Sequence, residues 1–290
     1  MTDALASVVV VVTAFRPDGG FSSRYADLAA ACGAIVVVDN TPDGHDFGAL
    51  APPFRILQDG RNKGLGPALN IGIDEAVALG ATHVALFDQD SHPTTELISR
   101  LLDGISRAGS RAVVGPVHVD DSTGRAADVR AKPSPSGLRP LSCLPTSGML
   151  LPAEGWKSGP RFSDSLFLDL VDFDWCWRRG AEGWRHFQFA TARMPHRLGL
   201  AQRRWMGMTF HVPSPYRHYF QFRDTLRLAP REHVPWYPRL RLLCILPLKL
   251  LVYPWLMDRG TERLGWMLRG IRDAIRSRDG IGAAGEALGS

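Results

Sequence analysis

The chain has 290 residues, 45% apolar and 22% charged, enough for a substantial core and unlike a disordered, collagen-like or polytopic membrane protein. Four widely spaced cysteines, Cys32, Cys143, Cys176 and Cys244, with no Cys-x-x-Cys pair, exclude a disulfide scaffold and a cysteine zinc site and suit a reducing compartment. The net charge of +5 hides 17 basic against five acidic residues between Arg193 and Arg278, so the rest of the chain is net negative.

The first apolar run, Val8 to Val12, is too short and too β-branched for a secretory leader, so a cytoplasmic chain is expected. It reads as a buried parallel strand ending in the turn-rich stretch Thr13 to Gly20. Residues 22–32 are helix-like. Ala34 to Val38 repeats the strand pattern and stops at Asp39-Asn40-Thr41-Pro42-Asp43-Gly44. This order predicts an α/β sheet. A third strand, Phe54 to Leu57, leads through a donor-rich loop, Asp59 to Pro67, into a helix over Ala68 to Leu79. The fourth strand, His83 to Phe87, runs into Asp88-Gln89-Asp90-Ser91, and Pro93 opens a helix to about Arg107. Residues 120–140, rich in Ser, Pro, Gly and Arg, are expected as a mobile connection over the sheet edge. Leu144 to Leu151 is again strand-like, and Phe167 to Arg178 reads as a helix with three carboxylates among apolar residues, which needs a reason.

Residues 1–200 are expected to form one catalytic domain and residues 201–290 a basic, helical extension. Its segment Arg239 to Met257 has about the length of a membrane span, but Pro247, Lys249 and Pro254 interrupt it. Flanking Arg, Tyr253 and Trp255 suit a segment lying on an anionic membrane surface; the alternative is a helical cap packed on the domain or in a homo-oligomer. Nucleic acid is not expected as a partner, because no helix-turn-helix, zinc or RNA-binding signature accompanies the basic tail.

In open α/β sheets ligands gather at the carboxyl ends of strands. Asp88 and Asp90 bracket one residue there. Two such carboxylates about 4 Å apart repel by roughly 4 kcal/mol at an effective dielectric near 20, and a bound magnesium or manganese ion resolves the conflict. A solvated turn is the competing explanation.

Taken in order, Val38-Asp39-Asn40, Asn62-Lys63-Gly64-Leu65-Gly66-Pro67-Ala68-Leu69-Asn70-Ile71-Gly72, Phe87-Asp88-Gln89-Asp90-Ser91, Ser147-Gly148, Val171-Asp172-Phe173-Asp174-Trp175 and His196-Arg197-Leu198-Gly199 resemble the family 2 inverting glycosyltransferases over about residues 7–225. The Asp-Gln-Asp-Ser form, the run Phe167 to Arg178 and the stretch Ser214 to Arg223 are similar to the rhamnosyltransferase branch. The resemblance implies a GT-A fold, a Rossmann-like, mainly parallel mixed sheet flanked by helices with a C-terminal helical extension. It implies a nucleotide-sugar site of Thr13, Asp39, Arg61, Asn62, Asp88 and Gln89, with Asp39 reading the base, and a metal site of Asp88, Asp90 and His196. It implies Asp172 as catalytic base, flanked on its helix by Asp169 and by Asp174, where relatives often carry Glu. Asp169, Trp175, Arg217 and Arg223 are candidate acceptor contacts.

The function so implied is transfer of L-rhamnose from dTDP-L-rhamnose to a polysaccharide or lipid-linked glycan, dependent on Mg2+ or Mn2+, at the inner face of the membrane. The alternatives are a UDP- or GDP-sugar donor and a non-catalytic membrane-surface scaffold. A nucleotidyltransferase should carry a glycine-rich phosphate loop after the first strand, which Thr13 to Gly20 lacks.

Overall fold

A computed structural model describes residues 2–48, 50, 52–120, 126, 132–196, 202–205, 208–211, 213–278 and 281–285. In chain order the elements are α1 (Thr2–Ala6), β1 (Val8–Ala14), α2 (Phe21–Arg24), α3 (Ala26–Ala29), β2 (Ala34–Asp39), β3 (Phe54–Gln58), α4 (Leu65–Ala78), β4 (His83–Asp88), α5 (Thr95–Ala108) and β5 (Ala112–Asp120). They continue with β6 (Leu138–Leu141), β7 (Leu150–Pro152), α6 (Ala153–Ser158), α7 (Val171–Ala181), β8 (Arg185–His196), β9 (Gln202–Trp205), β10 (Met208–His211), α8 (Arg217–Leu228), α9 (Trp236–Leu256) and α10 (Gly260–Ile275).

The main sheet has eight strands in the order β3-β2-β1-β4-β7-β5-β8-β6. β3, β2, β1 and β4 are parallel; β7 runs antiparallel between β4 and β5, and β6 closes the far edge antiparallel to β8. The valine run of β1 is continuous because the strand is buried on both faces. Val8, Val10 and Val12 pack with Phe21, Tyr25, Leu28 and Leu101 on one side, while Val9 and Val11 pack with Ala68, Leu69 and Ile73 of α4 on the other. Alternate side chains thus feed two separate layers.

Residues 22–32 do not form one helix. They form the one-turn helices α2 and α3, separated at Tyr25, whose fully buried ring donates its hydroxyl to the carbonyl of Asp88 at 2.6 Å. Of the expected mobile connection, residues 121–125 and 127–131 lie outside the described residues. Ala126 bridges to Val119, and Leu138–Leu141 is the sheet's edge strand. The C-terminal part is not wholly helical either: an antiparallel pair, β9 and β10, precedes α8, α9 and α10. It shares apolar packing with the sheet domain. Leu228 and Val234 join the α4–α7 core layer, and Phe220 stacks on Phe167 with centroids 4.8 Å apart.

Gly72 sits on the inner side of α4, where a Cβ would overlap Val11 Cγ1 and press on Val38. Gly72→Ala is therefore expected to push α4 off the sheet and cost about 1–3 kcal/mol. Urea denaturation should show a lower midpoint at unchanged slope.

Candidate active site

Strand register collects the predicted acids at one edge. Ala14 is level with Asp39, Asp39 with Gln58, and Thr13 with Asp88. β5 and β8 end at the same edge, where Asp120 is level with His196. Asp39 is 2% exposed, and its two carboxylate oxygens accept from the backbone N–H groups of Thr41 at 2.9 Å and His45 at 2.7 Å. It pins the loop that leaves β2. Asn40 ties that loop to the next, its amide donating to the Gly64 carbonyl at 3.0 Å. Arg61 is exposed, and Asn62 accepts from the Gly64 N–H at 3.1 Å, turning the chain into α4.

At the end of β4, Asp88 is half-buried and Asp90 exposed. Tyr25 and Arg24 hold the carbonyls of Asp88 and Gln89, at 2.6 and 3.0 Å. Burial and the negative charges of Asp88 and Asp90 push the Tyr25 phenol well above its ordinary range. The Gln89 amide grips the backbone of Phe15 with both ends, accepting from its N–H at 2.6 Å and donating to its carbonyl at 3.0 Å. It sets the loop after β1. Behind the turn, Ser91 meets Ser147 at 2.7 Å, and His118 bonds the Ser147 carbonyl at 2.9 Å. Asp88 at the end of β4 and Asp90 two residues on offer carboxylate oxygens, the hard donors that a magnesium or manganese ion would take. His196 closes β8, and its side chain lies outside the described residues. Among the described residues no three His, Cys, Asp or Glu side chains form a metal cluster.

The segment before Asp172 is held from α4. Gly64 has φ +88°, and a Cβ there would lie 2.7 Å from the Phe167 carbonyl, which accepts from Leu65 N–H at 2.7 Å. Only glycine meets both demands. Asn70 then clamps the segment that leads to α7: its side chain exchanges two 2.9 Å bonds with the backbone of Phe162. This clamp was not foreseen, although Asn70 stands inside a quoted motif.

Asp172 lies in the first turn of α7, behind Leu170 in the left-handed conformation (φ 67°). A non-glycine residue there costs on the order of 1–2 kcal/mol, and such strain concentrates at functional turns. The Asp172 carboxyl is pushed up to about 7, first by burial, then by charge on Cys176 one turn on and on Asp169; the Phe173 N–H, at 2.9 Å, opposes this.

The flanking residues need correction. Asp169 precedes the helix instead of riding on it, and forms a two-point ion pair with Arg217, Nε at 3.0 Å and Nη2 at 2.9 Å. The charge of Asp169, ahead of that of Asp88, favours the ionised Arg217 guanidinium against its burial. Asp174 is fully buried and holds Arg178 and His233, the latter at 2.8 Å. Trp175 is not an acceptor platform: it is fully buried, stacked on Phe162, with its N–H on the Pro160 carbonyl at 2.9 Å. Arg223 is equally buried and pairs with Asp224 at 2.6 Å, so it meets no acceptor either. In both cases the apolar surroundings of α7 and α8 absorbed the side chain.

Residues 34–141 match the family model "Glycosyl transferase family 2". The chain is 25% identical over 244 residues to dTDP-rhamnosyl transferase RfbF of Shigella flexneri, covering 79% of this chain and 82% of that protein. Among solved structures, GalNAc-T7 with UDP, GalNAc and Mn2+ superposes with TM-score 0.53 at 12% identity, over 95% of this chain and 58% of that one. S. aureus TarS 1–349 superposes with TM-score 0.51 at 12% identity, over 92% and 80%. The structural likenesses establish the fold.

Because Asp172 titrates near 7 in the fold and near 4 when unfolded, its ionisation opposes folding increasingly between those values and fully above them. Asp172→Asn is expected to raise the melting temperature at pH 8, with the gain fading to nothing near pH 4.

Proposed function

We propose that the chain is a family 2 glycosyltransferase that moves L-rhamnose from dTDP-L-rhamnose, with inversion, onto a polysaccharide or lipid-linked glycan; the family-model match, the rhamnosyltransferase likeness and the GT-A fold support this reading. The observation that carries the chemistry is the placement of Asp172 in the first turn of α7, behind the strained Leu170 and with the preceding segment fastened to α4 by the Leu65–Phe167 bond; burial pushes its carboxyl up in keeping with this. The likeness to a dTDP-rhamnosyl transferase supports the donor.

In this reading Asp39 and the backbone near Thr13 receive the nucleoside, Arg61 and Asn62 the diphosphate side, and Gln89 holds the Phe15 loop in place. Asp88 and Asp90, with His196, would hold a divalent ion, which would supply charge neutralisation to the diphosphate. Asp172 takes the proton of the acceptor hydroxyl as its oxygen bonds to the anomeric carbon. The bond from that carbon to the phosphate oxygen breaks on the opposite face, and its electron pair leaves with the nucleotide. A base near neutrality suits this step. The Asp169–Arg217 pair borders the acceptor side. We place the enzyme as a peripheral protein at the cytoplasmic face of the membrane; no helix among the described residues is long and apolar enough to cross one.

Thermal shift with dTDP, UDP and GDP, each with and without Mn2+, tests the donor. A ligand at about 100 times its Kd adds roughly 2.7 kcal/mol. Manganese-dependent stabilisation by dTDP is expected; stabilisation by UDP or GDP alone would reassign the donor, and by none would remove the nucleotide site. Asp172→Asn should keep the dTDP shift and lose about 10²–10⁴-fold in turnover, whereas unchanged turnover would favour a scaffold. In the active protein kcat/KM should rise with pH and reach half its plateau near pH 7, where the carboxyl loses its proton.

A further inference from the structure

Helix α9 is inverted relative to a helix that meets water. Over its 21 residues, about 31 Å, it has no acidic side chain, and its outward side carries Trp236, Tyr237, Leu240, Leu248, Leu251 and Trp255. Trp255 is 90% exposed, Leu251 71% and Leu248 59%. Lys249 turns inward instead, donating to Gln221 at 2.8 Å, next to buried Leu246 and Tyr253. A contiguous apolar face of this size marks a docking surface. Exposed basic side chains lie on this helix and in the segment that follows it, at Arg241, Arg259, Arg269, Arg272, Arg276 and Arg278.

We propose that the outward face of α9 lies flat on an anionic bilayer surface, with its leucines and tryptophans in the headgroup boundary and the neighbouring arginines on lipid phosphates. A second copy of the chain fits less well, because apposing two such faces would bring like charges together. Pro247 and Pro254 within the helix, together with the inward Lys249, suit a helix lying on the surface over one passing through it. The docked helix is wired to the catalytic one. Arg239 at its start bonds the carbonyls of Arg231 and Val234, at 2.9 and 3.1 Å, and His233 between them reaches Asp174 of α7 at 2.8 Å. Docking would therefore fix the orientation of Asp172 to the bilayer; this consequence, unlike the docking itself, rests on the glycosyltransferase reading.

Cys244 offers the probe, being exposed within this face while Cys32 and Cys176 are buried. The full chain in a Cys143→Ser background, labelled at Cys244 with a polarity-sensitive dye, is mixed with phosphatidylglycerol-containing vesicles or with phosphatidylcholine alone. A blue shift and co-sedimentation are expected with the anionic vesicles, with binding about tenfold weaker to neutral ones. Leu248→Glu with Leu251→Glu should weaken vesicle binding about tenfold or more while the dTDP thermal shift stays unchanged. Undiminished binding by that variant, or no binding to either vesicle, overturns the proposal. So does a blue shift without lipid accompanied by a doubled mass in light scattering, which would assign the face to a second copy. Vesicle binding without any nucleotide shift would leave the docking standing and remove the enzymatic reading, so the two fail separately.

Discussion

The site depends on how closely the turn before α4 approaches the segment that carries Asp172. At Gly64 the backbone has positive φ, and the Phe167 carbonyl lies where a side chain would begin. That contact, the Leu65–Phe167 hydrogen bond and the Asn70 clamp on Phe162 join two stretches about a hundred residues apart. One stretch is tied to the loop that leaves β2 by the Asn40–Gly64 bond; the other delivers Asp172. Their relative position is therefore set by hydrogen bonds to backbone, which tolerate little displacement.

A second tension is electrostatic. Asp169, Asp172 and Asp174 crowd one turn, and the structure separates their roles by environment. Asp169 is neutralised by Arg217, and Asp174 by Arg178 with His233 beside it. Asp172 alone is left with burial and like charge, opposed by little more than a backbone N–H. A carboxylate kept uncompensated in this way is stored basicity, and its neighbours' ion pairs are what confine the instability to one group.

The main-sheet architecture was legible because it follows from periodicity: the valine runs of β1 and β2 announce strands covered on both faces, and each ends at polar residues that the register then aligns. The roles of particular side chains were less legible. Gln89 and Asp39 stand where expected, but their observed bonds are to backbone, and no local pattern tells a loop-pinning amide from a ligand-facing one. Trp175 went to the interior because it stacks on Phe162 of the segment before α7, and Arg223 because α8 is covered by α10, whose Asp273 holds the Tyr219 hydroxyl. The break at Tyr25 was equally hidden, since the carbonyl that holds its hydroxyl belongs to β4.

The doubly covered β1 has a consequence for how such a chain can diversify. With its valines committed to one layer or the other, the strand leaves only Thr13, near its end, short of full burial. Novelty must enter through the loops that leave the strand tips, around residues 15–20, 40–48, 59–64 and 89–94. The sheet then acts as an inert chassis: those loops can be exchanged one at a time, and a lineage can explore different sugars without renegotiating its core.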